Sequence, residues 1–387
     1  MSTIMRGHII ELRPNNKQAT HFAKASGIAR LAYNWALVEW KKQYKAYKDY
    51  LELCDYYYCI PEQRIIDKLK PNEGKLRKQL NAIKREKYPS MLEVTKCSPQ
   101  LAIKQLGVAF KRFFNGEAKY PQFRKKGVQD RFSLSNDQFY VNDKKIRIPN
   151  LGLVKMTEKL RYNGKIMAAK IFKQGGKWFA SITVELINIE KLNQKTGLSV
   201  GIDLGVKDLA ILSTGEVVKS VAPLKAQLSR LKRLNQSLSR KKKGSQNRLK
   251  AKAKLSKLHY RISCVRKDYL HKLTTSLIKR FDVIAIEDLN TKGMMKNRKL
   301  SRAISDMGFY EFKRQLIYKA AEQGKQVKTL GRFFPSSKTC SSCGEINHDL
   351  TLKDRVWSCK VCLTTHDRDF NAAINILNHA DKILTAA

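Results

Sequence analysis

The sequence predicts a multidomain α/β protein, and three observations carry that prediction. Residues 17–114 repeat their apolar side chains at helical spacing. Residues 120–186 switch to a period of two, and short, wholly apolar strands return near Ser199 and Asp282. The length of 387 residues allows roughly two to four domains.

The elements follow in order. Ile4 to Leu12 alternates apolar and polar residues and reads as a strand. From Lys17 to Phe114 an amphipathic run carries Tyr33, Trp35, Ala36, Trp40, Tyr44 and Tyr47, and Pro61, Pro71 and Pro89 break it into several helices. Between Tyr120 and Leu186, the segments Phe132–Ser135, Lys145–Ile148 and Trp178–Val184 read as strands, with Asn163-Gly164 and Gly175-Gly176 as hairpin turns. One strand, a helical insertion and then more strands predict a small β-barrel interrupted by a helical domain. Ser199–Gly205 opens a new α/β region as a buried strand with Asp203 in its middle. Asp208–Leu212 and Glu216–Val218 are two further strands joined by Ser213-Thr214-Gly215. Leucines at 224, 228, 231, 234 and 238, then Leu255, Leu258, Ile262 and Val265, predict a helical hairpin over 222–280. Asp282–Ile286 is a strand ending in Glu287. A helix over Gly308–Gln323, a last strand within Lys325–Phe334 and an amphipathic helix from His366 to about Leu384 complete the pattern.

Charge restricts the partner. Lys and Arg number 77 against 33 Asp and Glu, a net charge of +44, and self-repulsion on that scale opposes compaction unless a polyanion neutralises it. Apolar residues make up 42% of the chain, which excludes a disordered basic tail. No segment offers the roughly 20 apolar residues of a membrane helix, and Met1-Ser2-Thr3-Ile4 begins no secretory signal. The expected setting is the cytoplasm and the expected partner is nucleic acid. From Val217 to Lys267 there is no acidic residue, and Arg240, Lys241, Lys242 and Lys243 sit between the two predicted helices of the hairpin. A solvated helix pair normally mixes both signs of charge; this one presents a basic face to a polyanion.

Four cysteines, Cys54, Cys59, Cys97 and Cys264, are scattered, as suits a reducing compartment. Cys340, Cys343, Cys359 and Cys362 form C-x2-C, fifteen residues, C-x2-C. Two thiolates on each of two tight turns close a tetrahedral Zn2+ site, and four protein ligands leave no open position, so the ion is expected to be structural. His348 and His366 lie nearby, outside the ligand set.

An acid at the end of a buried strand in so basic a chain demands a reason, because a buried carboxylate costs several kcal/mol unless it is paired or holds a metal. Asp203, Glu287 and Asp369 are the set expected to converge, and three carboxylates can hold two Mg2+ ions about 4 Å apart across a phosphodiester. Asp208, Asp288 and Asp367 are neighbours ranked below them.

These residues carry a resemblance. The order Gly201-Ile202-Asp203-Leu204-Gly205, Ile286-Glu287-Asp288-Leu289, the four-cysteine ribbon and Asp367-Arg368-Asp369-Phe370-Asn371-Ala372-Ala373 resembles TnpB, the transposon-encoded RNA-guided DNA endonuclease, whose relatives include the small type V CRISPR effectors. Tyr33-Asn34-Trp35-Ala36-Leu37, Phe113-Phe114 through Tyr120-Pro121-Gln122-Phe123-Arg124-Lys125-Lys126-Gly127, and Ser239 to Gly244 also look like that family. The resemblance implies a wedge-type β-barrel (1–12 and 119–195) carrying a helical recognition domain (13–118). A RuvC-like nuclease domain of RNase H fold (196–335 and 365–387) follows, with a zinc ribbon (336–364) inserted. It implies Asp203, Glu287 and Asp369 as the catalytic Mg2+-binding triad, a transposon-derived guide RNA, double-stranded target DNA read beside a short motif, and one RNA on a monomeric protein. Candidate nucleic-acid contacts are Arg240, Lys241, Lys242 and Lys243, with Arg124, Lys125 and Lys126. A minimal CRISPR effector, a D-D-E transposase and a non-catalytic RNA-guided DNA-binding protein are the competing readings.

Overall fold

Alternation along Thr3–Arg13 forms β1, which turns His8, Ile10 and Leu12 inward. The computed structural model describes residues 3–187, 195–332, 334–351 and 353–385 in two units, Met1–Ile189 and Glu190–Ala387. In the first, the prolines act as the sequence predicts. Helices α1 (Asn16–Tyr56), α2 (Gln63–Leu69) and α3 (Glu73–Lys87) each stop before Pro61, Pro71 or Pro89, and α4 (Cys97–Phe114) follows. A reciprocal capping box between Asn15 and Gln18 starts α1. Strands β2 (Arg131–Ser135), β3 (Tyr140–Asn142), β4 (Lys145–Ile148), β5 (Gly152–Met156), β6 (Lys165–Gln174) and β7 (Lys177–Ile187) complete the unit.

The expected barrel is, among the described residues, one antiparallel sheet in the order β2-β6-β7-β1-β5-β4-β3, with no pairing between its end strands. Gly175-Gly176 makes the β6–β7 hairpin, both residues at positive φ. Asn163-Gly164 does not make one: β5 and β6 are not paired, and Gly164 instead lies against the Glu185 carbonyl of β7, where no Cβ fits. Helices and sheet share one core. Phe22 of α1 sits 5.2 Å from Trp178 and 5.9 Å from Phe132, and Trp40 stacks on Phe110 of α4 at 4.3 Å.

The second unit opens with β8 (Ser199–Asp203), β9 (Ala210–Leu212) and β10 (Val217–Val218), then the basic hairpin of α5 (Leu228–Ser239) and α6 (Gln246–Arg280). Leu231, Leu258 and Ile262 form the hairpin's buried seam, and Arg266 ties α6 to the buried Asp306 at 2.9 Å. After β11 (Val283–Glu287) come α7 (Thr291–Met294) and α8 (Ser301–Met307), two short helices that the sequence pattern does not announce. Then follow α9 (Phe309–Glu322), β12 (Gln326–Leu330), β13 (Val356–Ser358), β14 (Thr365–Asp367) and α10 (Arg368–Thr385). The main sheet runs β10-β9-β8-β11-β12; β8, β11 and β12 are parallel, while β9 and β10 are antiparallel to their neighbours.

The two faces of that sheet differ. Val200, Ile202, Ile284 and Ile286 pack on one side with Phe312 and Leu316 of α9. On the other, Gly201 and Ala285 leave room for α10. A Cβ on Gly201 would stand 2.1 Å from the Ala373 carbonyl and 2.7 Å from the Leu377 amide, so helix and strand touch backbone to backbone. Gly201→Ala is therefore expected to push α10 off β8 and to destabilise the chain by about 1–3 kcal/mol, read as a lower midpoint in denaturant unfolding.

Candidate active site and metal centre

Asp203 and Glu287 are the last residues of β8 and β11. The register pairs Ile202 with Ile286, which sets the two acids side by side one step further on. The strand period puts them on the face of Gly201 and Ala285, toward α10. Asp203 thus ends its strand rather than lying within it, because the chain leaves the sheet at Leu204-Gly205. Asp369 stands in the first turn of α10, whose positive end favours a carboxylate. Open α/β sheets bind ligands at the carboxyl ends of their parallel strands, and this is such a place.

The electrostatics tie the three acids together. The Asp203 carboxyl is pushed up to about 7, first by the loss of solvent around it and then by the negative charges of Glu287 and Asp369. Arg368 and the Leu204 amide pull the other way, without winning. The other two acids have partners. Ser336 donates its hydroxyl to Glu287 Oε1 at 2.5 Å. Arg355 Nη1 lies 2.6 Å from Asp369 Oδ2, and Arg368 Nη2 lies 2.9 Å from Asp369 Oδ1.

The neighbouring acids are engaged elsewhere. Asp208 pairs with Lys219 at 2.8 Å, and Asp288 with Lys313 at 2.7 Å and Arg332 at 2.8 Å. Asp367 accepts the backbone N–H groups of Asp369 and Phe370, capping α10.

The cysteines gather as their spacing predicts. The four Sγ atoms of Cys340, Cys343, Cys359 and Cys362 all lie within 4.8 Å of one another. Cys340–Cys362 measures 3.5 Å and Cys343–Cys359 3.6 Å, close to the edge of about 3.8 Å that Zn–S bonds of about 2.3 Å give a tetrahedron. His366 Nε2 is 3.1 Å from Cys340 Sγ, and its ring packs on Trp357, so it supports the quartet from outside. Among the described residues no other group of three or more His, Cys, Asp or Glu is drawn so tight. The three acids are spaced more widely than the cysteines.

The sequence reading missed the side chains that hold these centres in place. Asn371 and Asn375, both buried, donate to the Thr339 carbonyl at 2.7 and 2.6 Å; Asn375 also donates to the Ser336 carbonyl at 2.8 Å. Arg355 lies just before β13, which pairs with β14, so the ribbon's hairpin carries it to Asp369. Asn371 stood inside a recognised motif; nothing in the sequence marks Ser336 or Arg355.

Among the basic candidates, Arg240, Lys242 and Lys243 are exposed at the α5–α6 turn and Lys241 is half-buried; Lys125 and Lys126 are exposed. Arg124 is a correction. It is buried, with its guanidinium 3.7 Å from the Tyr33 ring centroid and 2.8 Å from Gln105 Oε1, and burial lowers its pKa to about 10. It serves the interior of its unit rather than the surface.

Comparison with known proteins bears on the family and the fold. Residues 181–298 match the family OrfB_IS605, described as "Probable transposase". Residues 309–376 match the Cas12f1-like TNB domain, and residues 1–49 a helix-turn-helix domain of the OrfB_IS605 type. A Streptomyces pristinaespiralis protein named as an RNA-guided DNA endonuclease is 32% identical over 97% of this chain and 90% of its own. This chain belongs to the TnpB family. A second TnpB relative, the Escherichia coli (strain K12) protein named RNA-guided DNA endonuclease InsQ, is 30% identical over 97% of this chain and 92% of its own. The fold is also that of Cas12f1 in its complex with sgRNA and target DNA. That structure superposes with a TM-score of 0.54 at 14% identity, over 94% of this chain and 83% of the other. No helix among the described residues is long and apolar enough to cross a membrane.

The pH dependence has a defined sign. Because the folded-state value for Asp203 lies above the ordinary 3.8, its contribution to stability is complete below about 4 and is lost as pH rises through about 7. In metal-free buffer, Asp203→Asn is expected to be more stable than the parent near neutral pH. The advantage should vanish near pH 4, which thermal unfolding across that range measures.

Proposed function

We propose that this TnpB protein is an RNA-guided DNA endonuclease of a transposon, working in the cytoplasm with a guide RNA on double-stranded target DNA. The observation that carries the reading is the raised Asp203 carboxyl, held between Glu287 and Asp369. Like charges enclosed this way are unfavourable in the free chain and become favourable around a divalent cation. The sheet order, with two antiparallel steps from β10 through β9 to β8 and then two parallel steps to β11 and β12, supports a RuvC-like domain of RNase H fold.

Mg2+ held by Asp203, Glu287 and Asp369 would supply the polarisation of a phosphodiester and of the attacking water. The chain's own part is positional. Ser336 fixes one oxygen of Glu287. Arg355 and Arg368 hold Asp369 in one orientation, so that the carboxylate is set before any ion arrives. The cysteine quartet is read as a structural Zn2+ site that keeps Arg355 in register with Asp369. Arg240 and Lys241–Lys243, with Lys125 and Lys126, are read as contacts to the nucleic-acid backbone, and pairing with the guide reads the target sequence. The helices of the first unit are read as a recognition domain carried by a wedge sheet.

A minimal CRISPR effector is the second reading, favoured by the match of residues 309–376 to the Cas12f1-like TNB domain. Relatives that match nearly the whole chain through the transposon family weigh toward the first.

Three outcomes test the proposal. The purified protein should carry RNase-sensitive RNA, and sequencing should map that RNA to a transposon end. Asp203→Ala should abolish DNA cleavage and leave RNA binding unchanged; residual cutting at the parent rate sinks the triad. Cys343→Ser should lower both bound zinc, by elemental analysis, and the melting temperature.

A further inference from the structure

We propose that Cys54 and Cys59 are a redox modification site, a dithiol that a small-molecule disulfide converts into an intramolecular disulfide. They are two of the four cysteines outside the metal quartet, Cys54 buried and Cys59 exposed. The turn that ends α1 brings them together.

Tyr57 caps the helix. The Tyr58 N–H donates to the Asp55 carbonyl at 3.1 Å, and the Cys59 N–H donates to the Cys54 carbonyl at 2.9 Å. That pair of bonds is the Schellman closure of a helix, with its left-handed residue just after the cap. Glycine usually holds the left-handed position; here Tyr58 takes it, at φ +52. The closure brings together the side chains three residues before the cap and two after it, which in this chain are Cys54 and Cys59. An amide-to-carbonyl bond of 2.9 Å also keeps the two Cα atoms within about 7 Å, the range over which a disulfide can form. Beyond Cys59 the Glu62 N–H donates to the Tyr50 hydroxyl at 3.0 Å, which ties the chain back to the helix.

The side chains agree with the backbone. A hydrogen bond with Cys54 holds the Cys59 thiol above its ordinary range. A thiol so raised lacks the stabilised thiolate that makes a disulfide easy to reduce, which favours the closed form once it is made. The exposed Cys59 gives up its proton and attacks one sulfur of the small disulfide. That S–S bond breaks, and one small thiol leaves with a proton. Cys54 then loses its proton, attacks the Cys59 sulfur and expels the second small thiol. Two protein thiols are oxidised, and one small disulfide is reduced to two thiols. In a reducing compartment the pair stays open, and a rise in small-molecule disulfide closes it. Closure fixes the turn that presents Tyr56, Tyr57 and Tyr58, all exposed, to solvent.

Oxidised glutathione, added to the purified full-length chain with whatever RNA it carries, tests the proposal. The remaining thiols are alkylated, and tryptic peptides are weighed by mass spectrometry. Cleavage after Lys48 and Arg64 gives the peptide 49–64, which holds Cys54 and Cys59 and no other cysteine. The expected result is that this peptide loses both thiols, gains no glutathione and recovers both thiols with dithiothreitol. Cys54→Ser should stop the reaction at a glutathione adduct on Cys59. Cys59→Ser should leave the buried Cys54 a free thiol. A parent peptide that keeps both thiols while the exposed Cys264 is consumed overturns the proposal. So does a glutathione adduct that persists on Cys59 of the parent, or a crosslink of Cys59 to any cysteine other than Cys54.

Discussion

The crowding of three carboxylates, Asp203, Glu287 and Asp369, is the constraint around which the second unit is arranged. Two of them end adjacent parallel strands, and that alone brings them within about one strand spacing of 4.8 Å. The third must come from the helix that covers their face of the sheet. It arrives only because Gly201 and Ala285 leave α10 room to lie against the strands. A side chain at Gly201 would displace Asp369 along with the helix that carries it. The glycine beside the acid is thus a packing requirement of α10.

The ribbon belongs to the same arrangement. The quartet closes two turns, and β13 and β14 pair between them and α10, with Val356 opposite Asp367. One residue before that pair, Arg355 reaches Asp369; two residues after it, Asp369 starts its turn of helix. Asn371 and Asn375 bind the carbonyl that precedes Cys340 from the other side. A cysteine site is therefore joined to an acidic site through backbone and side-chain hydrogen bonds, and disorder in one reaches the other.

Legibility in the sequence followed how local the cause was. Prolines ended helices where they stood, the leucine spacing of α5 and α6 produced the hairpin seam, and C-x2-C turns gathered four thiols. Asp203 and Glu287 stood out because a carboxylate at the end of an apolar strand is costly and so rarely accidental, whereas Asp369, at a helix start, stood out only in company with them. What could not be read depends on contacts distant in sequence. Arg124 looked like a surface cation within Arg124-Lys125-Lys126, and only the packed ring of Tyr33 and the amide of Gln105 explain its burial. Asn163-Gly164 has the composition of a hairpin turn, but strand order sends β5 to β1 and β6 to β7. Ser336 and Arg355 meet their acids across 49 and 14 residues, with no local pattern to announce them.

Arginine neutralises Asp369 but not Asp203, and the difference bears on how the site works. Asp369 sits at the opening of a helix beside a hairpin, where Arg355 and Arg368 both reach it. Asp203 ends the central strand of a five-stranded sheet, with β9 on one side and β11 on the other, and burial outweighs the pull of Arg368 on its carboxyl. Its charge is left to a proton near neutral pH or to a small ion. A proton satisfies Asp203 alone, whereas a divalent ion satisfies Asp203 and its neighbours together, and the second gain grows with each acid brought into reach. On the proposed reading, Glu287 and Asp369, the same two residues that raise the Asp203 carboxyl, would favour an ion over a proton.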